Sequence, residues 1–288
     1  MLWILYALLS ALSKSLLDLF SKRLMQDNKD EYIITWARFA FSVPILVFFL
    51  FFFGIPKTDS TLWLVILIGA PIEVIAIILY IHSIKISPLS LTIPILGLTP
   101  VFIILSSYLM LKELPSFTGL VGILTIVIGT YILGMNSGNK GFFAPFRNIF
   151  REKGPLLMLF VAFIFCITPN LGKIGILHSS IFFFMLILFS SMLLLYTPII
   201  FLKSRKHLYQ IKNNIYNFFL IGIFELSEIS FALLAFQSVF VNYAVSLKRA
   251  SILFSVIFGF IILKEKNVRE RLLGAVVITI GIILISLA

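Results

Sequence analysis

The chain is organised as long apolar stretches separated by short polar connections. Ten stretches of this kind can be marked, numbered here as span 1 to span 10: residues 2–21, 32–54, 61–84, 89–111, 116–135, 155–177, 179–202, 215–238, 242–263 and 270–287. Each has about the 20 apolar residues that an α-helix needs to cross the hydrocarbon core of a membrane. Because apolar residues run continuously and do not alternate with polar ones, the pattern predicts membrane-spanning helices and disfavours a β-barrel.

The pattern predicts an all-α integral membrane protein with two halves. Span 1 is expected to be a retained helix, because it lacks a basic n-region and Lys14 and Asp18 interrupt the apolar run that a signal peptide would need. The longest connection follows span 5 and is rich in Gly, Asn and basic residues. We therefore expect a first five-helix unit over 1–138, a connecting loop over 139–154 and a second five-helix unit over 155–288.

An internal repeat supports this division. A shift of 152 residues aligns spans 4 and 5 with spans 9 and 10 without a gap. The matched positions are Phe102 with Phe254, Leu111-Lys112-Glu113 with Leu263-Lys264-Glu265, and Gly122 and Gly129 with Gly274 and Gly281. Since each unit has an odd number of spans, the second copy enters the membrane from the opposite side, so the repeats are predicted to be inverted. Many secondary transporters have inverted repeats, with the substrate near the bilayer midplane between them.

These residues resemble the ten-helix, EamA-type members of the drug/metabolite transporter superfamily. The resemblance rests on Thr99-Pro100-Val101-Phe102, then Leu111-Lys112-Glu113 and the Gly122 and Gly129 helix, and on the second copy beginning at Ser251. It covers essentially the whole chain. It implies two inverted five-helix repeats and the export or exchange of small organic molecules, and it selects no substrate.

Composition and charge exclude several classes of protein. Hydrophobic residues make up 60% of the chain and charged residues 12%, well away from the values of soluble globular proteins. A soluble enzyme is therefore excluded, and a disulfide scaffold is excluded because Cys166 is the only cysteine. No P-loop, dinucleotide-binding glycine motif, H-E-x-x-H or C-x-x-C motif is present, so we expect no cofactor and no metal site.

The positive charge is concentrated on one face of the predicted bundle. Of the 23 Lys and Arg residues, 16 fall in the loops after odd-numbered spans, and only Lys57 and Lys112 fall in the opposite loops. Basic loops are retained in the cytoplasm, so the distribution predicts that both termini lie outside. Many members of the resembled family are described with cytoplasmic termini, so the two inferences disagree. Anionic lipid at the basic loops accounts for the net charge of +11 without nucleic acid.

Charged residues inside the spans are the candidate functional residues. An ionisable side chain at the centre of a span costs at least about 2.5–3.5 kcal/mol, so it requires a partner or a water-filled cavity. Equal numbers of acids and bases suggest ion pairs. The acids are Asp18, Glu73, Glu225 and Glu228, and the matching bases are Lys14, Arg38, Lys248 and Arg249.

The pairing of these charges is open in several places. Asp18 lies one turn from Lys14 and at a depth similar to that of Arg38, so either base is a candidate partner. Glu73 has no basic residue within four positions, which makes it the strongest single candidate for a proton or substrate site.

Glu225 and Glu228 are three residues apart, so both can border one cavity. They are candidate proton carriers or partners of Lys248 and Arg249. Those two adjacent bases point about 100° apart, so only one is expected to face the acids. Arg38, Lys248 and Arg249 are the candidates for holding an anionic group.

Further residues are predicted to line a cavity. Two prolines in span 4 and one in span 6 favour kinks, and kinked spans often border binding sites. The cavity-lining candidates are Pro94, Gly97, Pro100, Asn170, Asn242, Tyr243 and Ser246.

The function expected from these features is the secondary active export or exchange of a small polar organic metabolite such as an amino acid. A proton is a candidate coupling ion. The alternatives are a flippase for lipids or lipid-linked sugars on the same fold, and a membrane-embedded enzyme. The partners expected are a small-molecule substrate and membrane lipid, with no nucleic acid. We expect a monomer or homodimer in a prokaryotic plasma membrane.

Overall fold

The structure is a computed structural model of the chain and describes residues 2–27, 29–87, 92–135, 152–254, 258 and 268–288. Every regular element within these ranges is helical, which confirms the predicted all-α class for that part of the chain. The longer helices are α1 (Leu2–Gln26), α2 (Glu31–Ala40), α3 (Ser42–Phe53), α4 (Ser60–Ile86), α5 (Thr99–Leu111), α6 (Phe117–Met135), α7 (Lys153–Ile164), α8 (Thr168–Leu177), α9 (Ile181–Lys203), α10 (Tyr209–Asn213), α11 (Ile215–Ser238), α12 (Val241–Lys248) and α13 (Val268–Ser286). Two short 3₁₀ helices cover Ile93–Leu98 and Arg205–His207.

Within the described ranges, six helical segments are long and apolar enough to cross a membrane. They are Leu2–Met25, Glu31–Phe53, Ser60–Ile86, Lys153–Leu177, Ile181–Lys203 and Ile215–Ser238. Shorter apolar helices cover Ile95–Leu111, Phe117–Ile132 and Leu273–Ser286, at predicted spans 4, 5 and 10. Span 9 begins as α12, and much of its second half lies outside the described residues. The number of ten spans therefore stays a prediction.

Three predicted spans are interrupted near a proline. Span 2 divides at Phe41 into α2 and α3, and span 6 divides at residues 165–167 into α7 and α8. Span 4 begins as the Ile93–Leu98 3₁₀ helix and continues as α5, with Pro100 in its first turn. Proline is tolerated in a first turn because the N–H it lacks has no partner there. Pro71 and Pro198, in contrast, lie inside uninterrupted helices.

Corresponding helices of the two halves pack in a reciprocal way. The first span of each half packs against the third span of the other half, so that α1 contacts α11 and α7 contacts α4. The last spans of both halves, α6 and α13, pack against each other. This exchange of partners is the arrangement expected of two copies related by a twofold axis.

The four matched glycines lie at the crossing of α6 and α13. A Cβ atom on Gly129 would come within 2.7 Å of Ile278 Cγ1 and 2.9 Å of the Gly274 carbonyl oxygen. A Cβ on Gly281 would come within 2.6 Å of Ile126 Cγ1 and 2.8 Å of the Gly122 carbonyl oxygen. The 152-residue shift converts the first set of contacts into the second.

The order of these contacts gives the direction of the two helices. Gly122, early in α6, meets Gly281 and Ile285 late in α13, whereas Gly129 meets Gly274 and Ile278. The helices are therefore antiparallel, as inverted repeats require. Glycine is needed at Gly122, Gly129 and Gly281 because a side chain there would hold the two helix backbones apart.

The connection before α4 joins the two halves at the surface. The Asp59 carboxylate accepts hydrogen bonds from the backbone N–H groups of Thr61 and Leu62 and caps the N terminus of α4. It also lies 2.6 Å from Nδ1 of His178, which follows α8 in the second half. The hydrogen bond with His178 lowers the pKa of the Asp59 carboxyl from its ordinary value, and the backbone donors act in the same direction.

Candidate functional site

The charged residues selected from the sequence converge in one group inside the bundle. Ion pairs and further electrostatic interactions connect the four acids and the four bases with one another. They come from α1, α2, α4 and α11 and from the end of α12. We call this group the charged cluster: Lys14, Asp18, Arg38, Glu73, Glu225, Glu228, Lys248 and Arg249. Its four acids and four bases balance, so the cluster carries no net charge when all are ionised.

Six of the eight charges form three ion pairs. Lys14 Nζ lies 2.9 Å from Asp18 Oδ1 within α1. Arg38 Nη1 lies 3.6 Å from Glu225 Oε2, which links α2 to α11, and both side chains are almost fully buried.

The third pair links α11 to the end of α12. Lys248 binds Glu228, whose carboxylate is buried. The structure thus assigns different partners to the two acids of α11. Of the alternatives left open by the sequence, Asp18 pairs with Lys14 and not with Arg38, and only Glu228 pairs with α12.

Glu73 and Arg249 form no ion pair within the described part of the chain. The Glu73 carboxylate lies near the Thr168 side chain and within electrostatic range of Glu225 and Lys248. The buried Nε of Arg249 has no hydrogen-bond partner there, and its charge lies near Tyr80 and Glu228. These two side chains are the members of the cluster without an ion pair in the described residues, although Arg38 Nε and Glu225 Oε2 also lack a hydrogen-bond partner there.

Tyr80 belongs to the site although the sequence did not select it. Its side chain is buried, and its ring lies 5.0 Å from the Lys14 ammonium in a cation–π arrangement. It also interacts electrostatically with Asp18, Arg38 and Arg249. Tyr80 follows Glu73 by seven residues on α4, about two helical turns, so both project from one side of that helix. That spacing was the signal available in the sequence.

Most of the predicted cavity-lining residues have structural roles. The Asn170 side chain accepts a hydrogen bond from the Ser107 hydroxyl at 2.8 Å and donates to the Ser106 hydroxyl and the Cys166 carbonyl, both at 3.0 Å. It joins α8 to α5, and its amide is occupied. Whether Asn170 also lines a cavity stays a prediction.

Gly97, Tyr243 and Ser246 are also engaged in packing. A side chain at Gly97 would collide with Thr130 of α6, so this glycine permits a close helix contact. The Tyr243 hydroxyl accepts a hydrogen bond from the Ser116 N–H at 2.7 Å. Ser246 donates to the carbonyl of Asn242 at 2.6 Å, one turn earlier in α12.

The remaining candidates differ from one another. Pro100 is buried in the first turn of α5, and the side chain of Pro94 lies outside the described residues. Asn242 is fully buried, and neither its amide oxygen nor its amide nitrogen has a hydrogen-bond partner within the described part of the chain.

Outside the charged cluster, the Lys173–Glu113 ion pair also joins the two halves, at one end of the bundle. Lys173 Nζ lies 2.6 Å from Glu113 Oε1 and donates to the Val239 carbonyl at 2.9 Å. The other Glu113 oxygen accepts from the N–H of Val241 at 2.7 Å, at the start of α12. Glu113 is the glutamate of the repeated Leu-Lys-Glu motif, so the motif serves to hold the α11–α12 turn. Its second copy, Leu263-Lys264-Glu265, lies outside the described residues.

A family model matches this arrangement twice along the chain. The model describes the EamA-like transporter family, and it matches residues 1–135 and 152–287. The chain belongs to the EamA-like transporter family. This confirms the resemblance to the drug/metabolite transporter superfamily that the motifs indicated.

A solved structure has the same fold as this EamA-like protein. That structure is described as "Crystal structure of protein". The two have a TM-score of 0.76 and 16% sequence identity, and the match covers 99% of this chain and 96% of the other. At that identity the likeness establishes the fold alone. No curated protein matches the chain.

Membership of the family establishes the general class of the protein. EamA-like proteins are membrane transporters of small molecules, and the apolar helices place this chain in a membrane. The charged cluster therefore lies inside the bundle of a small-molecule transporter.

Proposed function

We propose that the protein is a secondary active transporter that exports or exchanges a small polar organic metabolite such as an amino acid. The observation that carries the proposal is the convergence of eight balanced charges from five segments of the chain at the charged cluster. Charged side chains within a membrane are costly and generally mark a substrate or ion pathway. In an inverted-repeat transporter, that pathway passes between the two halves, where this cluster lies.

Gradient-driven transport fits the chemistry of the chain. The sequence contains no phosphate-binding loop, so nucleotide hydrolysis would require a partner protein. Glu73 is the proposed coupling group, because it is the acid of the cluster without an ion pair in the described residues. The other three acids, Glu225, Glu228 and Asp18, are each held by a base, which makes them less suited to this role.

The proposal can be tested with purified protein in liposomes. The measurement is the uptake of each of the labelled amino acids, with and without an imposed pH gradient. We expect uptake of at least one of them, stimulated by the gradient. Glu73→Gln should abolish the stimulation, while counterflow exchange of the same amino acid at a saturating concentration should persist.

The matched control is Glu152→Gln, which removes an exposed glutamate at the start of α7. It should leave both uptake and stimulation unchanged. Stimulation that survives Glu73→Gln would remove Glu73 from the coupling mechanism. Movement of a labelled lipid or lipid-linked sugar without any amino acid uptake would favour the flippase, and product formation in detergent, with no compartments, would favour the enzyme.

A further inference from the structure

Ion pairing divides the charged cluster into an occupied part and an available part. Three acids and three bases are neutralised by one another, and the two residues left over, Glu73 and Arg249, have opposite charges. We infer that Glu73 and Arg249 are the two poles of a binding site for a dipolar substrate, with Glu73 binding its cationic group and Arg249 its anionic group. This inference rests on the proposed transport function and assigns the substrate contacts within it.

Arg249 is suited to bind a carboxylate or another planar anion. Its guanidinium stays ionised and presents donors in a fixed fork that matches two carboxylate oxygens. The Nε donor is buried and lacks a hydrogen-bond partner in the described residues, an arrangement that a bound anion would relieve. Tyr80 lies within electrostatic range of Arg249, and its hydroxyl would be a further donor for the same anion.

Glu73 is suited to bind an ammonium group. Its carboxylate lies near the middle of α4, close to the Thr168 side chain where span 6 resumes after its interruption. A carboxylate and a neighbouring hydroxyl provide several acceptor lone pairs, and an ammonium has three donors to satisfy.

The two poles do not pair with each other, but both interact with the Lys248–Glu228 ion pair. Glu73 and Arg249 form no ion pair with each other, yet both lie within electrostatic range of Glu228, which is held by Lys248. A ligand with one charge would satisfy one pole and leave the other unpaired in a low-dielectric environment, which is costly. A ligand with both charges satisfies both poles and leaves the cluster neutral. It can also bind without breaking any of the three ion pairs.

The test uses three related probes against two variants. The probes are the amino acid with the highest uptake by the wild-type protein, the amine that lacks its carboxylate, and the acid that lacks its amino group. Affinities are measured by isothermal titration calorimetry on purified full-length protein. For the wild-type protein, we expect the amino acid to bind at least about tenfold more tightly than either probe, the size of one charge-assisted hydrogen bond.

The two variants should shift this preference in opposite directions. Arg249→Gln should weaken binding of the amino acid and of the acid by about tenfold or more, and leave the amine unchanged. Glu73→Gln should weaken the amino acid and the amine, and leave the acid unchanged. The matched controls are Arg205→Gln and Glu152→Gln, which remove exposed charges outside the cluster and should change none of the three affinities.

The relative effects of each variant on the three probes decide whether the inference holds. If each variant weakens all three probes by the same factor, or weakens none, the two residues do not contact the charged groups of the substrate. Thermal unfolding of each variant identifies a loss of folding, which would lower the unfolding temperature as well as the affinities. Amino acid uptake that persists beside unchanged probe affinities would overturn this inference and leave the transport function standing, whereas absence of all uptake would refute the function itself.

Discussion

Replacement of Gly129 by alanine should destabilise the protein at the crossing of α6 and α13. In most helices a change from glycine to alanine is favourable by up to about 1 kcal/mol, because alanine has the higher helix propensity. At Gly129, however, the added Cβ would lie 2.7 Å from the backbone nitrogen of Ile278 and 2.9 Å from the Gly274 carbonyl oxygen. Carbon atoms normally stay about 3.5–4.0 Å from their neighbours, so the two helices must separate.

The size of the effect follows from this geometry. Two of the atoms that collide belong to the backbone of α13, so the clash cannot be relieved by a change of side-chain rotamer. An extra methyl group in a tightly packed site typically costs about 1–3 kcal/mol. Gly281→Ala places its Cβ 2.6 Å from Ile126 Cγ1 and 2.8 Å from the Gly122 carbonyl oxygen, so the internal symmetry predicts a loss of similar size.

The assay is thermal unfolding in detergent, with Gly69→Ala as the matched control. Gly69 is also a buried glycine in a membrane helix, but a Cβ there would meet only Leu171 Cδ1, at 3.8 Å. Gly69→Ala should be neutral or stabilising, whereas Gly129→Ala and Gly281→Ala should both lower the unfolding temperature. Equal stability of Gly129→Ala and Gly69→Ala would refute the close backbone contact and the symmetry argument built on it.

Two further predictions concern the Lys173–Glu113 ion pair and the orientation of the protein in the membrane. Lys173→Met leaves the carboxylate of Glu113 buried without its cation, so it should lower the free energy of unfolding by about 3–5 kcal/mol. The control is Lys203→Met, at an exposed lysine that donates to the Tyr32 hydroxyl, which should change the free energy of unfolding by less than about 1 kcal/mol. Urea titration in detergent compares the two, and an equal loss would contradict a structural role for Lys173. The basic loops predict that the C-terminus lies outside the cytoplasm. A reporter enzyme that works only outside the cytoplasm should therefore be active when it is fused after residue 288. Fluorescence from a reporter that fluoresces only in the cytoplasm, fused at the same position, would refute the predicted orientation.

Much of the architecture was accessible from the sequence because membrane helices are constrained locally. A continuous run of about 20 apolar residues has few alternatives in a bilayer, where every backbone polar group must be satisfied within its own segment. The repeat was visible because the two copies retain glycines at the same spacing, and the structure gives a reason in the contact between Gly129 and Gly274. The residues of the charged cluster could be selected because charges inside spans are few and costly.

Only the tertiary structure decided how these residues are used. The sequence left Asp18 between two bases, Lys14 and Arg38, and the packing of α2 against α11 brings Arg38 to Glu225 instead. The hydrogen bonds of Asn170 in α8 with Ser106 and Ser107 of α5 likewise depend on how these two helices pack. The physical reason is range: apolar runs and single charges are properties of one segment, whereas ion pairs and hydrogen bonds depend on distances between segments far apart in the chain. The sequence by itself therefore determined which residues must find partners in the membrane, and the fold determined which of them, Glu73 and Arg249, have no ion pair among the described residues.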